Sequence, residues 1–330
     1  MPVFYRTARP LKAAPCRSLF YTQASGGLWV WRWPPGAPSI LVSPPMLAFW
    51  ISITVLSLVQ GAVVAAPSQH AVAALKRLRS PLWAVIPPAS VLVFVLVARQ
   101  AEHPSAETLT YLALVAVPIL AALAMGWAVW EPSSGSLRRY RPAAALLVLP
   151  LFALAWADRE GLAGEAAAVA LSALSCVTLG VLLAAVTPAR WLVVGIVLMA
   201  VADTALVVSE LLQHPNDVLN AAHPAAGLPR LQSETFGSAV MGYGDLFVAG
   251  LLGGLLAAAR DRSRQLLGAA LVAALAVGFD LLFFAVQELP ATVPVALATI
   301  LMTLGAPGRR RAAHEAPARP RSTARPGAVP

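Results

Sequence analysis

The chain has 330 residues, of which 58% are hydrophobic and 12% charged, a balance far from that of soluble globular domains. Its two cysteines, Cys16 and Cys176, support neither a disulfide framework nor a thiolate metal centre. The net charge of +9 comes from arginine clusters without interleaved aromatics, so the lipid bilayer rather than nucleic acid is the expected partner.

In chain order, residues 1–45 are rich in Pro, Gly and Arg and lack a signal-peptide core, which predicts a disordered extension. At about 20 apolar residues per crossing, nine spans follow, at 46–66, 82–99, 108–130, 142–157, 163–186, 190–212, 236–259, 265–286 and 289–305. The fold class expected is an all-α polytopic membrane protein. Residues 46–186, spans one to five, form its scaffold, and 187–305, spans six to nine, its functional part. Pro87, Pro88, Pro118 and Pro150 lie inside spans two to four and predict kinks. Residues 306–330, with prolines among arginines, read as a disordered basic tail.

Basic residues assign the sides of the membrane, because cytoplasmic loops are enriched in Lys and Arg. Lys76, Arg77 and Arg79, then Arg138, Arg139 and Arg141, then Arg190, then Arg260, Arg262 and Arg264 follow spans one, three, five and seven, on the same side as the tail. The alternate loops hold only Arg99, Arg159 and Arg230. The C-terminus is therefore expected in the cytoplasm. Arg6, Arg9, Lys12, Arg17 and Arg32 conflict with an external N-terminus, and the expectation is that translation starts at Met46.

Three acidic residues fall well inside apolar spans, where an ionised carboxylate is expensive: Asp203 in the sixth, Asp245 in the seventh and Asp280 in the eighth. Glu165 and Glu210 lie near helix ends and read as structural. Asp203 is nine residues before Leu212 and Asp245 nine after Phe236, so in two continuous antiparallel helices both lie roughly 13 to 14 Å from the joining loop. Two carboxyls at one depth can meet, share a proton and split their titrations. Gly242 and Gly244 leave room for a helix or substrate backbone beside Asp245, while Gly250, Gly253 and Gly254 read as packing positions.

A span with one aspartate, a loop, and then Gly242-Tyr243-Gly244-Asp245 resembles the GxGD intramembrane aspartyl proteases, the group of presenilin and signal peptide peptidase and their microbial relatives. That family carries a Pro-Ala-Leu motif at its ninth helix; here Pro290-Ala291-Thr292 begins 45 residues after Asp245, with Pro294 close behind. Two positions depart from the pattern. Ala202 precedes Asp203 where the family has tyrosine, and Thr292 stands for leucine. Prepilin peptidases also carry GxGD, but typically with a lysine where this chain has Phe247. His314-Glu315 lacks the second histidine of a metalloprotease.

The resemblance implies a presenilin-like fold of nine helices and an aspartic-type endopeptidase that uses neither metal nor cofactor. Asp203 and Asp245 would be the catalytic dyad, with Gly242, Tyr243, Gly244, Pro290, Ala291, Thr292 and Pro294 shaping the site. Transmembrane proteins or signal-peptide remnants would be the substrates. Pro290 and Pro294 would leave carbonyls free for a strand-like substrate, and the connection at 213–235, with His214 and His223, would act as a gate. Two alternatives stand beside this reading. One is a proton- or cation-coupled transporter using Asp203, Asp245 and Asp280; the other is an inactive presenilin-like scaffold.

Overall fold

The computed structural model describes residues 44–74, 80–86, 89, 93, 103–130, 142–209, 228–284 and 289–304. The N-terminal extension, the basic tail, most of the second span and much of the 213–235 connection, including His214 and His223, lie outside them, as do Pro87, Pro88 and Glu210. The helices are α1 (Pro44–Ala65), α2 (Gln69–Ala74), α3 (His103–Leu123), α4 (Val148–Ala157), α5 (Leu162–Val186), α6 (Ala189–Val208), α7 (Tyr243–Ala258), α8 (Arg262–Asp280) and α9 (Thr292–Leu304). Two antiparallel strands, β1 (Ser233–Phe236) and β2 (Ala239–Gly242), precede α7. Among the described residues, five helical segments are long and apolar enough to cross a membrane: 47–65, 108–128, 162–186, 189–208 and 262–284. Large apolar side chains such as Val115, Leu149, Leu198 and Val201 are exposed, which suits lipid rather than water. The molecule is a mostly helical membrane protein.

The central helix is α5, which packs along α7 with α3 and α4 on its other side, while α1 lies between α7 and α8. Close approach of α5 and α7 depends on missing side chains. A Cβ on Gly250 would stand 2.3 Å from the Cys176 carbonyl oxygen, and one on Gly254 would stand 2.2 Å from that of Gly180. Gly253 meets α1 in the same way, at the Val64 carbonyl. These three glycines are the packing positions expected of them.

Some buried polar groups of the scaffold satisfy helix ends. Gln265 donates to the carbonyls of Val64, Ala65 and Pro67, and Arg262 donates to that of Ala65. The last turn of α1 is thus capped by the first turn of α8, which itself starts at the N-cap Asp261. Pro118 lies inside α3, which continues as a π turn over Ala124–Ala128. Thr178 of α5 donates to the Leu120 carbonyl just before that turn, giving a backbone acceptor near the irregularity a partner. Pro150 sits in the first turn of α4, which follows a 3-10 turn at Pro142–Leu147.

The expected seventh span is not a continuous helix. Residues 233–242 form a hairpin, and α7 starts only at Tyr243. Gly237-Ser238 is a two-residue turn with glycine first at φ +57°, the geometry that turns two strands back on each other. The turn is pinned to the scaffold because the Gly237 N–H donates to Glu165 Oε2 at 2.7 Å and the Ser238 N–H to Ser52 Oγ at 3.3 Å. Glu165, in the first turn of α5, is structural in that sense.

Candidate active site

A cavity of about 920 Å³ opens between α1, α3, α5, α6, α8 and the start of α9. Its wall is mainly apolar, and Asp203, Asp245 and Asp280 all line it. The structure therefore places the Asp203 and Asp245 carboxyls on one cavity, by a route other than matched depth in two long helices. Asp203 is five residues from the end of α6 and Asp245 is the third residue of α7. Counting 1.5 Å per residue from Phe236 fails because that stretch is strand and turn.

Each carboxyl is held by a particular donor. Thr292 Oγ1 donates to Asp203 Oδ2 at 2.7 Å, and the Gly242 N–H donates to Asp245 Oδ2 at 3.0 Å. Thr292 is the first residue of α9 and Asp245 lies in the first turn of α7. Both carboxyls thus sit at a helix N-terminus, where unpaired amides offer partial positive charge to an anion. Thr292 fills the position of the expected leucine with a hydroxyl that reaches the dyad.

The other residues of the two motifs separate by role. Tyr243 turns back toward α5, its hydroxyl 2.7 Å from Ser175 Oγ, which donates to the Ser172 carbonyl. A Cβ on Gly244 would meet nothing within 4 Å, and Gly244 lines the cavity. Among the described residues none approaches that position, so the room beside Asp245 is cavity. Ala291, Thr292 and Pro294 also line it. The expectation of free carbonyls at this segment fails: the Pro290 carbonyl accepts from the Val293 N–H, and that of Ala291 from Gln60 Nε2 at 3.2 Å. Pro294 falls in the first turn of α9, where a missing N–H removes no helix bond.

No protein-family model, curated protein or solved structure matches the chain.

Several polar residues around the cavity were not singled out from the sequence. Ser57 and Gln60, three apart on α1, face it, and Ser57 Oγ donates to Asp280 Oδ2 at 2.7 Å. Asp280, near the end of α8, thereby has a hydroxyl partner inside the same cavity. Behind the dyad, Glu234 of β1 is 1% exposed, and neither carboxyl oxygen makes a hydrogen bond of good geometry. Burial, opposed by the hydroxyl of Ser172 and reinforced by charge on Asp245, pushes its carboxyl from the usual 4.5 up to about 8. Among the described residues, no three His, Cys, Asp or Glu side chains converge closely enough to hold a metal ion.

Proposed function

We propose that the protein is an intramembrane aspartyl protease of the presenilin and signal peptide peptidase type, with nine spans and Asp203 and Asp245 as its dyad. The observation that carries this reading is that the two carboxyls, from separate helices, line one large, mainly apolar cavity. In the reaction, one carboxylate takes a proton from water, whose oxygen attacks the peptide carbonyl carbon. The other carboxyl, protonated, gives its proton to the carbonyl oxygen. Collapse of the resulting diol breaks the C–N bond, and a proton moves to the departing nitrogen. Thr292 and the Gly242 N–H fix the orientation of the two acids while this happens.

The cavity suits a peptide. Val240, Met241 and Gly242 of β2 line it, and a two-stranded sheet leaves one edge of each strand without a strand partner. An extended substrate segment paired to that edge would have its backbone groups satisfied in a place with little water. The open space over Gly244 lets its backbone pass close to Asp245. With the C-terminus cytoplasmic in the cell membrane, the substrates are transmembrane segments with cytoplasmic N-termini, or signal-peptide remnants. Reporter fusions that find the C-terminus outside would overturn this orientation.

Cation- or proton-coupled transport is the second reading, favoured by the presence of all three membrane aspartates in one cavity. Reconstitution with a transmembrane reporter separates the two. Cleavage by the wild type that disappears in both Asp203→Ala and Asp245→Ala is the expected result. Cleavage that survives either substitution sinks the dyad, and ion flux without cleavage would favour transport.

A further inference from the structure

The cavity holds a second group of acceptors besides the dyad. Asp280 is 8% exposed, and its Oδ2 is taken by Ser57. Gln60 has no exposed surface. Its nitrogen is used by the Ala291 carbonyl, and its side-chain oxygen has no partner among the described residues. A buried amide oxygen without a donor is a cost that a ligand can remove. Among the described residues, no lysine or arginine lines this cavity, although three carboxyls do. Acceptors and negative charge are therefore present in excess, and what the cavity lacks is a cationic donor.

We infer that Asp280, Gln60 and Ser57 form a specificity subsite that takes a lysine or arginine side chain of the substrate peptide. The cation pairs with the Asp280 carboxylate and donates to Gln60 Oε1. Its methylene stem lies along the apolar wall that Ile53, Ala276 and Phe283 supply beside these groups. That a peptide is the occupant rests on the protease reading; the acceptor character of the subsite does not.

The position relative to the dyad follows from one short segment. Gln60 holds the carbonyl of Ala291, and the next residue, Thr292, holds Asp203. Consecutive Cα atoms are about 3.8 Å apart. An extended peptide advances about 3.3 Å per residue, so the cationic residue falls about one to three positions from the scissile bond.

The test uses the full chain in nanodiscs and paired transmembrane peptides that carry either lysine or norleucine at each position near the cleavage site. Wild type is expected to prefer lysine at one position by roughly tenfold or more in kcat/KM. In Asp280→Asn/Gln60→Leu that ratio should fall to near one, whatever the absolute rate. A lysine preference that is absent in the wild type, or unchanged in the double variant, overturns the subsite.

Binding of the same peptides to Asp245→Asn, followed by fluorescence anisotropy, keeps the result independent of catalysis and of folding losses specific to the double variant. If no reporter is cleaved but lysine still binds tighter and Asp280→Asn removes the difference, the subsite holds and the protease reading fails. If peptides are cleaved but bind without that preference, the subsite fails and the protease reading holds.

Discussion

Thr292→Val isolates the contact between α9 and the dyad. Valine has the shape of threonine, so packing at this 4% exposed position is kept while the 2.7 Å hydrogen bond to Asp203 Oδ2 is removed. Hydrogen bonds to charged groups contribute about 1.5–3 kcal/mol, and about 1.4 kcal/mol is a factor of ten in rate. Loss of the bond leaves Asp203 free to turn within the cavity, and kcat for reporter cleavage should drop roughly ten- to a hundredfold with KM little changed. Thr292→Ser keeps the donor and should stay within about threefold of wild type. Initial rates over a range of reporter density in proteoliposomes give the two constants, and thermal unfolding in detergent checks that both variants fold. Valine at the wild-type rate, or serine as slow as valine, would refute the reasoning.

Gly244→Ala adds a methyl group where nothing stands within 4 Å, so thermal stability should not move while cleavage falls as the substrate path narrows. Gly250→Ala puts a Cβ 2.3 Å from the Cys176 carbonyl, and overpacking of this kind costs about 1–3 kcal/mol or more, read as a lower melting temperature. Glu165→Ala strands the Gly237 amide; a cost of about 1–3 kcal/mol and faster proteolysis around the hairpin are expected, with Glu165→Gln much closer to wild type. Glu234 keeps its proton in the folded chain up to about 8 but loses it near 4.5 when unfolded. The unfolded state therefore binds fewer protons between those values, and the contribution of Glu234 to stability, complete below the lower one, is lost as pH rises to the upper one. Melting temperatures across that range should fall in the wild type and fall less in Glu234→Gln; equal slopes would contradict it.

Five of the expected apolar spans were legible as long helices because a backbone in lipid must satisfy itself, which makes long apolar runs into helices. That rule also hid the hairpin: Ala239-Val240-Met241 count as apolar in any hydropathy window and merge with α7. The local signal was Gly237-Ser238, a turn pair between short runs. The two aspartates were legible as costly residues at motif spacing. Thr292 read as a departure because the value of its hydroxyl depends on α9 reaching α6, which no spacing encodes. Ser57 and Gln60 stand three apart in plain view, yet their partners lie 223 and 231 residues away. A polar residue in a span announces a partner without saying which.

The shortness of α7 bears on how water arrives. Its 16 residues make a rod of about 24 Å, less than the roughly 30 Å hydrocarbon thickness of a typical bilayer. It begins two residues before Asp245, so a mismatch on that side falls over this carboxyl. Lipid that thins or dips toward the protein there would relieve it. On the protease proposal, hydrolysis at these carboxyls would then depend on the thickness of the lipid around them.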